Sequence, residues 1–378
     1  MFTTDVQTKI EFLYLSEEDM IQAGVLDMKK CVKVIDEMFK VVGKGDYLMG
    51  GPNENEHGIM LWFPEEKRTD KMPIAGPDRR FMSLISYLGG DFHICGEKWY
   101  GSNIANREKG LPRSILTVTL NDVESGQPLA YMSGNLISAM RTGAVPGVAA
   151  KYLAKPNSEV VGIVGAGVIN KACLSAIAET QDSIKEVKIF DINEERCKQF
   201  ANEMTTELSL KVSPVSSMQE CIEGSDIISV ATSGHSKPEI KDEWVKEGCL
   251  ITLTGTADLS EEFYLTNKIV ADNWKMHQAW GRDGLEHPKG MDSILSWAPT
   301  GKIIKLVHDE RINEESILNL GDIALGKVAG RKSDAEKIVF VTGGLPVEDI
   351  AWGYSVYQSA KENNIGQVLK LWDKPHWA

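Results

Sequence analysis

The sequence predicts an α/β protein: a doubly wound parallel sheet at the centre and a mixed α+β domain assembled from both ends of the chain. Three observations predict it. Residues 160–271 alternate short apolar strands with helices, the pattern of a parallel sheet. One of those strands, Val160-Val-Gly-Ile-Val164, runs straight into Gly165-Ala-Gly167 and a helix start. The segment before residue 135 is rich in strands separated by turn residues, and the tail beyond about residue 320 adds one strand and a helix.

The 378 residues are enough for two domains of ordinary size. A hydrophobic fraction of 42% and a charged fraction of 25% are those of a soluble globular protein. The net charge of −13 argues against nucleic acid or an acidic membrane as partner, but leaves room for a local cationic pocket that takes small anions. Six cysteines (Cys31, Cys95, Cys173, Cys197, Cys221, Cys249) stand apart with no CxxC, which reads as reduced, mostly buried thiols in a cytoplasmic protein. No signal peptide is apparent in the first residues, and the longest apolar runs are strand-sized, so no membrane span is expected.

Taken in order, residues 11–15 read as a strand. Ser16 followed by Glu17, Glu18 and Asp19 starts a helix with a capping residue and first-turn acids. Val32, Ile35, Met38, Phe39 and Val42 have the spacing of a buried helical face over 29–43. Residues 43–57 are rich in Gly, Asn and Pro and predict a loop. Strands follow at 59–63, 81–88 and 97–101, and 114–120 pairs with 128–132 as a hairpin. Residues 135–154 predict a long helix between the domains, with Ile137, Met140, Ala144, Val148 and Tyr152 on one side. Parallel strands are expected at 160–164, 186–190, 226–230, 250–253 and 268–271. A strand at 337–341 precedes a final helix with Pro346 in its first turn and Glu348 and Asp349 as N-terminal acids. The expected division is 1–145 with 322–378 as one domain and 146–321 as the other.

The glycine loop carries the first chemical statement. Gly165 permits a sharp turn, and Gly167 lets backbone N–H groups approach a pyrophosphate with no Cβ in the way. Ala166, Val168 and Ile169 complete a cradle at the positive end of a helix. The next strand ends at Asp191, 24 residues beyond Gly167. A carboxylate there bonds a ribose 2′-hydroxyl and repels a 2′-phosphate, so NAD is expected rather than NADP. The third glycine position is Asn170, where a small residue can also set the helix-to-strand distance. Thr232 and Ser233, just beyond the strand at 226–230, fall near the expected nicotinamide. An ordinary strand–turn–helix crossover without a ligand is the plain alternative. His277, His287 and His308 have no metal-ligand spacing, so no metal is expected.

Three stretches resemble the ornithine cyclodeaminase/mu-crystallin family. The first is Gly96-Glu-Lys98-Trp-Tyr-Gly-Ser-Asn with Gly110-Leu-Pro-Arg-Ser-Ile-Leu and Ser125-Gly-Gln-Pro-Leu-Ala. The second is Ser138-Ala-Met-Arg141-Thr-Gly-Ala. The third is Gly326-Lys-Val-Ala-Gly-Arg331 with Val339-Phe-Val-Thr-Gly-Gly-Leu-Pro-Val-Glu-Asp349-Ile-Ala. The resemblance runs in order over nearly the whole chain. It implies a dimerising substrate domain around a central NAD(P)-binding Rossmann domain. It also implies hydride exchange between nicotinamide and a carbon bearing nitrogen, with a small amino acid, amine or imine as substrate and a second copy of the chain as partner. Amino-acid dehydrogenase or imine reductase is the first reading. A cyclodeaminase that releases ammonia is the second, and a non-catalytic nucleotide-binding protein the third.

The same resemblance makes Lys98 a ligand for the substrate carboxylate and a proton-transfer group, Arg141 a second carboxylate ligand, and Asp258 the group that handles a proton at the substrate nitrogen. The run after Asp258 is shortened, so Glu261 and Glu262 compete for that role. From the residues alone, Lys98 is either an inward lysine that needs an anion or a surface lysine on an edge strand. Arg141 is either a bidentate carboxylate clamp or one half of an interdomain ion pair. The arginine that the family carries before its first sheet strands has no counterpart in 47–58, and Arg79 and Arg80 are the candidates to replace it. His57 and Asn53 read as surface-loop residues, and Trp274, Trp280 and Trp297 as packing or a lid.

Overall fold

In a computed structural model, which describes residues 8–232 and 237–377, the first half of the chain is strand-rich. It forms β1 (Ile10–Leu15), α1 (Glu17–Gln22), α2 (Met28–Lys44), β2 (Tyr47–Met49), β3 (Ile59–Trp62), β4 (Arg80–Leu88), β5 (Ile94–Ser102), β6 (Ser114–Asn121), β7 (Pro128–Ser133) and the long α3 (Asn135–Leu153). Local chemistry explains the starts and stops. Ser16 and Asp19 close a reciprocal capping box on α1, Asp27 caps α2, and Gly45 ends α2 in the left-handed conformation. The apolar stripe expected on α2 is buried from Val32 to Val42.

The second half forms β8 (Val160–Val164), α4 (Val168–Thr180), β9 (Glu186–Phe190), α5 (Glu194–Leu208), β10 (Lys211–Pro214), α6 (Met218–Ile222), β11 (Ile227–Val230), β12 (Leu250–Leu253), α7 (Glu261–Thr266), β13 (Lys268–Ala271), α8 (Trp274–Glu286), α9 (Gly301–His308), β14 (Leu318–Asn319), α10 (Leu320–Ala324) and β15 (Ile338–Val341). The tail ends in α11 (Pro346–Glu362) and β16 (Gln367–Trp372).

Two sheets result. The first has the order β16-β1-β7-β6-β5-β4-β2, with β3 also on β4, and is antiparallel except for the β1–β7 pair. The second is parallel throughout, in the order β10-β9-β8-β11-β12-β15-β13-β14. Its strands β11, β12 and β15 are buried at every residue, as a sheet covered on both faces requires. From β8 the chain winds first toward β10 and then, from β11, the other way, so the direction reverses between β8 and β11. That is the place where doubly wound sheets bind their ligands.

Helix α3 joins the two halves. One buried apolar cluster takes in residues of both sheets together with its Ile137, Ala144, Val148 and Leu153. At the end of α4, Thr180 and Gln181 donate to the carbonyls of Gly147 and Ala150 on α3. On the other side Lys151 and Tyr152 of α3 both bind the buried Asp36 of α2. The division expected at residue 321/322 needs a correction. Strand β15 lies between β12 and β13 in the parallel sheet, so residues 338–341 belong to the second domain even though α10 before them already packs on α2. The physical reason is pairing: Ile338–Val341 is wholly apolar and satisfies its backbone from neighbours on both sides. Among the described residues no helix is long and apolar enough to cross a membrane.

Asp226 ties together the amino ends of β8 and β11, the two strands between which the winding reverses. Its carboxylate accepts the backbone N–H groups of Glu159 and Val160 and lies 2.7 Å from Lys246 Nζ and 3.2 Å from Lys155 Nζ. Burial works to raise its pKa, but Lys246, the two N–H groups and Lys155 outweigh it and bring the carboxyl to about 2. A depressed carboxyl contributes stability above its unfolded value, roughly 3.9, and loses it as pH falls toward the folded value. Asp226→Asn is expected to cost about 1–2 kcal/mol at pH 7. The gap in thermal midpoint between variant and wild type should close as pH is lowered from 5 toward 2, and a gap that does not vary with pH contradicts the assignment.

Candidate active site

A cleft of about 790 Å3 lies at the switch point between the two domains. One wall is the glycine loop, Ala166 to Ile169, with Thr232 and Thr254 at the ends of β11 and β12; the other is formed by β5, with Lys98 and Tyr100, and by α3, with Ser138 and Arg141. The loop has the expected shape. Gly165 has φ +103°, and a Cβ there would stand 2.8 Å from the Ala231 carbonyl oxygen. A Cβ on Gly167, the N-cap of α4, would meet nothing within 4 Å, so the space above the loop is open.

Asn170 does more than fill the third glycine position. Wholly buried, its Nδ2 donates to the carbonyls of Val164 and Gly165, and its Oδ1 accepts from Ser229 on β11. The amide thus ties the turn to both central strands. Asp191 sits at the same loop: one carboxylate oxygen accepts the Ala166 N–H at 2.8 Å and the other the Asn193 N–H. Thr232 lines the cleft, whereas Ser233 lies outside the described residues.

Lys98 and Arg141 come together from distant parts of the chain. The β4–β5–β6 register turns Lys98 to the inner face of the first sheet, and the lysine is buried there. Its Nζ is 2.7 Å from Asp349 Oδ2 and 3.4 Å from the Ser138 hydroxyl. Arg141, on α3, directs Nε to Asp349 Oδ1 at 2.9 Å and Nη1 to Glu348. Both acids occupy the first turn of α11, which favours negative charge. Arg141 is therefore an interdomain ion pair and a cleft residue at once. Burial and the neighbouring Arg141 bring the Lys98 pKa down to about 8. Burial pushes Glu348 up to about 7, against the pull of Arg141. Burial opposes the charge of Arg141, but Asp349 and Glu348 overcome it and raise its pKa.

His57, which the sequence suggested for a surface loop, lines the cleft instead. Its Nδ1 is 2.6 Å from the Gly344 carbonyl oxygen, so that nitrogen carries the proton and Nε2 is left as an acceptor. Burial first and the Lys98 charge second push its pKa down to about 4. The loop is held in place by a network in which Tyr47 and Asn273 both bond the buried Asn55. Trp280 packs edge-on against His57 with 5.9 Å between ring centroids, and Trp297 packs on Trp280 at 5.4 Å. Asn53 stays outside, bonded to the Lys275 carbonyl.

Asp258 is not at this cleft. Its carboxylate pairs with Lys302 Nζ at 2.5 Å in a separate depression, and its backbone is bonded to Pro238 and Ile240. The carboxyl end of β12 does reach the cleft, but with Thr254; four residues on, the chain has turned to pair with 238–240. Glu261 pairs with Arg311, and Glu262 lies exposed on α7. Of the two arginines proposed to replace the missing one, Arg80 lines the cleft. Arg79 turns away to the Ile74 carbonyl and the ring of Phe63.

The sequence profile of the ornithine cyclodeaminase/mu-crystallin family matches residues 25–364. The chain belongs to this family. Among its relatives is the N-((2S)-2-amino-2-carboxyethyl)-L-glutamate dehydrogenase of Staphylococcus aureus, 28% identical over 96% of this chain and 99% of the other. The Δ1-pyrroline-2-carboxylate reductase of Thermococcus litoralis, solved with NADH and L-proline, superposes with a TM-score of 0.75 at 29% identity, covering 94% of this chain and 99% of that one. An archaeal alanine dehydrogenase dimer with bound NAD gives 0.77 at 26% identity, covering 96% and 100%.

The loop beside the two cations is held rigid by Asp272. This buried carboxylate accepts from Thr342 Oγ1 and from the N–H groups of Gly343 and Gly344, while its other oxygen meets His277 Nε2 at 2.8 Å and the Asn273 N–H. Burial acts to raise its pKa, but His277 and the backbone donors hold it below the usual carboxylate range. Asp272→Ala strands these donors and is expected to cost roughly 3 kcal/mol or more. A urea unfolding midpoint equal to that of the wild type contradicts this.

Proposed function

We propose that the protein is an NAD-dependent oxidoreductase that exchanges a hydride at a carbon–nitrogen bond of a small amino acid or cyclic imino acid. The observation that carries this reading is that the glycine loop and the Lys98–Arg141 pair line one cleft. The residues fit the cofactor: Gly167 leaves room for a pyrophosphate at the start of α4, Ala166, Val168 and Ile169 offer backbone at that turn, and Asp191 is the acceptor for an adenosine ribose, with Thr232 on the nicotinamide side. NAD, when bound, supplies a hydride acceptor at nicotinamide C4 and returns the hydride in the reverse direction.

The chain's own residues hold and orient the substrate. Lys98 keeps its proton at neutral pH and, with Arg141, pairs with the substrate carboxylate. His57 stays neutral and accepts a hydrogen bond from the substrate nitrogen through Nε2, the role that Asp258 cannot fill from its separate depression. Lys98 is the second proton carrier. The decisive experiment is a panel of amino acids and cyclic imines with NAD or NADH. Net NADH change supports the dehydrogenase or reductase, ammonia release without net NADH supports a cyclodeaminase, and tight NADH binding without turnover supports a non-catalytic binder. Lys98→Ala is expected to lower turnover about a hundredfold or more while NADH affinity stays within about twofold. Unchanged turnover removes Lys98 from the mechanism.

The working unit in this reading is a homodimer in the cytoplasm. The face of the first sheet opposite Lys98 carries Phe81, Ile85, Trp99, Ile115 and Tyr131, all exposed. They sit on neighbouring strands β4 to β7 and point to one side, an apolar patch of the kind that marks an interface. All six cysteines are unpaired and five are buried, which supports a reducing compartment. Ile85→Glu combined with Trp99→Glu is expected to convert a dimer into monomer in sedimentation experiments. A wild-type protein that sediments as a monomer contradicts the assembly.

A further inference from the structure

Beyond Lys98 and Arg141, the cleft carries four arginines that the proposed reaction leaves unused; one, Arg196 on α5, lies on the dinucleotide side, and the other three lie together near the first sheet. Arg80 opens β4, Arg107 lies in the short helical stretch Ile104–Lys109, and Arg113 immediately precedes β6. Arg80 and Arg113 share a single carboxylate, Asp78, which also accepts from Ser102. Two guanidinium groups on one carboxylate leave a positive charge over. Arg107 adds another, and among the described residues no carboxylate pairs with it.

Arg80 is also held in advance of any ligand. Its guanidinium lies over the rings of Trp62, at 5.1 Å, and Tyr100, at 5.8 Å, and Nη2 donates to the Tyr100 hydroxyl at 3.2 Å. Its buried Nε has no hydrogen-bond partner. Tyr100 stands between this arginine and Lys98, whose Nζ is 5.9 Å from the same ring. A chain of four carbon–carbon bonds spans roughly 5 Å, and a charge-assisted contact at each end adds about 3 Å. An amino acid of glutamate length therefore reaches from Lys98 past the Tyr100 ring to Arg80.

We propose that Arg80 and Arg113, with Arg107 at the rim, form a second carboxylate subsite, and that the substrate is an amino or imino acid carrying two carboxylates. The carboxylate nearest the reacting carbon lies at Lys98 and Arg141, and the distal one lies across Tyr100. This inference rests on the reading of the cleft as an amino-acid site beside nicotinamide. The alternative anion for these arginines is the dinucleotide's own phosphate, and the test separates the two.

NADH affinity is measured by fluorescence titration. Calorimetry on the NAD-saturated protein then compares L-glutamate with L-norvaline, which has the same chain length but no distal carboxylate. L-glutamate is expected to bind at least about tenfold tighter. Arg80→Met should abolish that preference and leave L-norvaline and NADH affinity unchanged. Arg113→Gln, at a half-exposed position, should act in the same direction without risk to folding. Equal affinity for the two amino acids, or no binding of L-glutamate, overturns the proposal. So does a preference that survives both substitutions while NADH binding weakens, which assigns the arginines to the dinucleotide. Failure of the wild-type protein to bind NADH is a different result, and it removes the oxidoreductase reading itself.

Discussion

The buried cluster of Lys98, Arg141, Glu348 and Asp349 is the constraint on which the rest of the structure depends. It joins β5 of the first sheet, the α3 bridge and the first turn of α11, three segments far apart in the chain. Charges withdrawn from water are tolerated only when paired and hydrogen-bonded, so each member fixes the position of the others. The acids sit at a helix N-terminus, which favours their charge. Behind them Asp272 gathers the Thr342, Gly343 and Gly344 donors and prevents the loop before α11 from shifting. The cations that face the cleft are thus held before any substrate arrives, and the binding energy of a carboxylate need not be spent on ordering them.

The cleft reverses the charge of the molecule around it. The chain carries −13 overall, yet Arg80, Lys98, Arg107, Arg113 and Arg141 all line one crevice. Low-dielectric walls concentrate that local field, so a small anion is drawn to the crevice even though the whole protein repels it. The dinucleotide loop faces the same space because the parallel sheet reverses its winding between β8 and β11. Hydride chemistry in the proposed reaction needs this closeness: ring and reacting carbon must meet, and the interdomain cleft brings the glycine turn and the cationic Lys98–Arg141 pair together.

Much of this was legible along the chain. The β8–turn–α4 unit, the parallel strands from 160 to 271, the capped α1 and the apolar stripe of α2 each rest on residues close together in sequence, where periodicity and turn chemistry act directly. Lys98 stood out because a lysine among apolar strand neighbours needs an anion. Some elements escaped: β10 and β14 have few residues, β16 is exposed over nearly its whole length and so has no buried face to mark it, and all three exist because a neighbouring strand satisfies their backbone. The placement of β15 escaped for a similar reason, since an apolar strand pairs equally well with either sheet until the rest of the chain has folded.

The site divides along the same line. By itself the sequence determined the strand–glycine turn–helix unit and the acid that follows it, because these are local patterns of residue types, whereas it marked Lys98 and Arg141 chiefly through the family resemblance and left their direction open. Only the tertiary structure decided that His57 turns inward to Gly344, that Arg80 faces the cleft while Arg79 does not, and that Asp258 leaves it for Lys302. These are choices of direction. A loop residue's direction is set by hydrogen bonds and ion pairs with groups tens to hundreds of positions away, and no local period in the sequence records them.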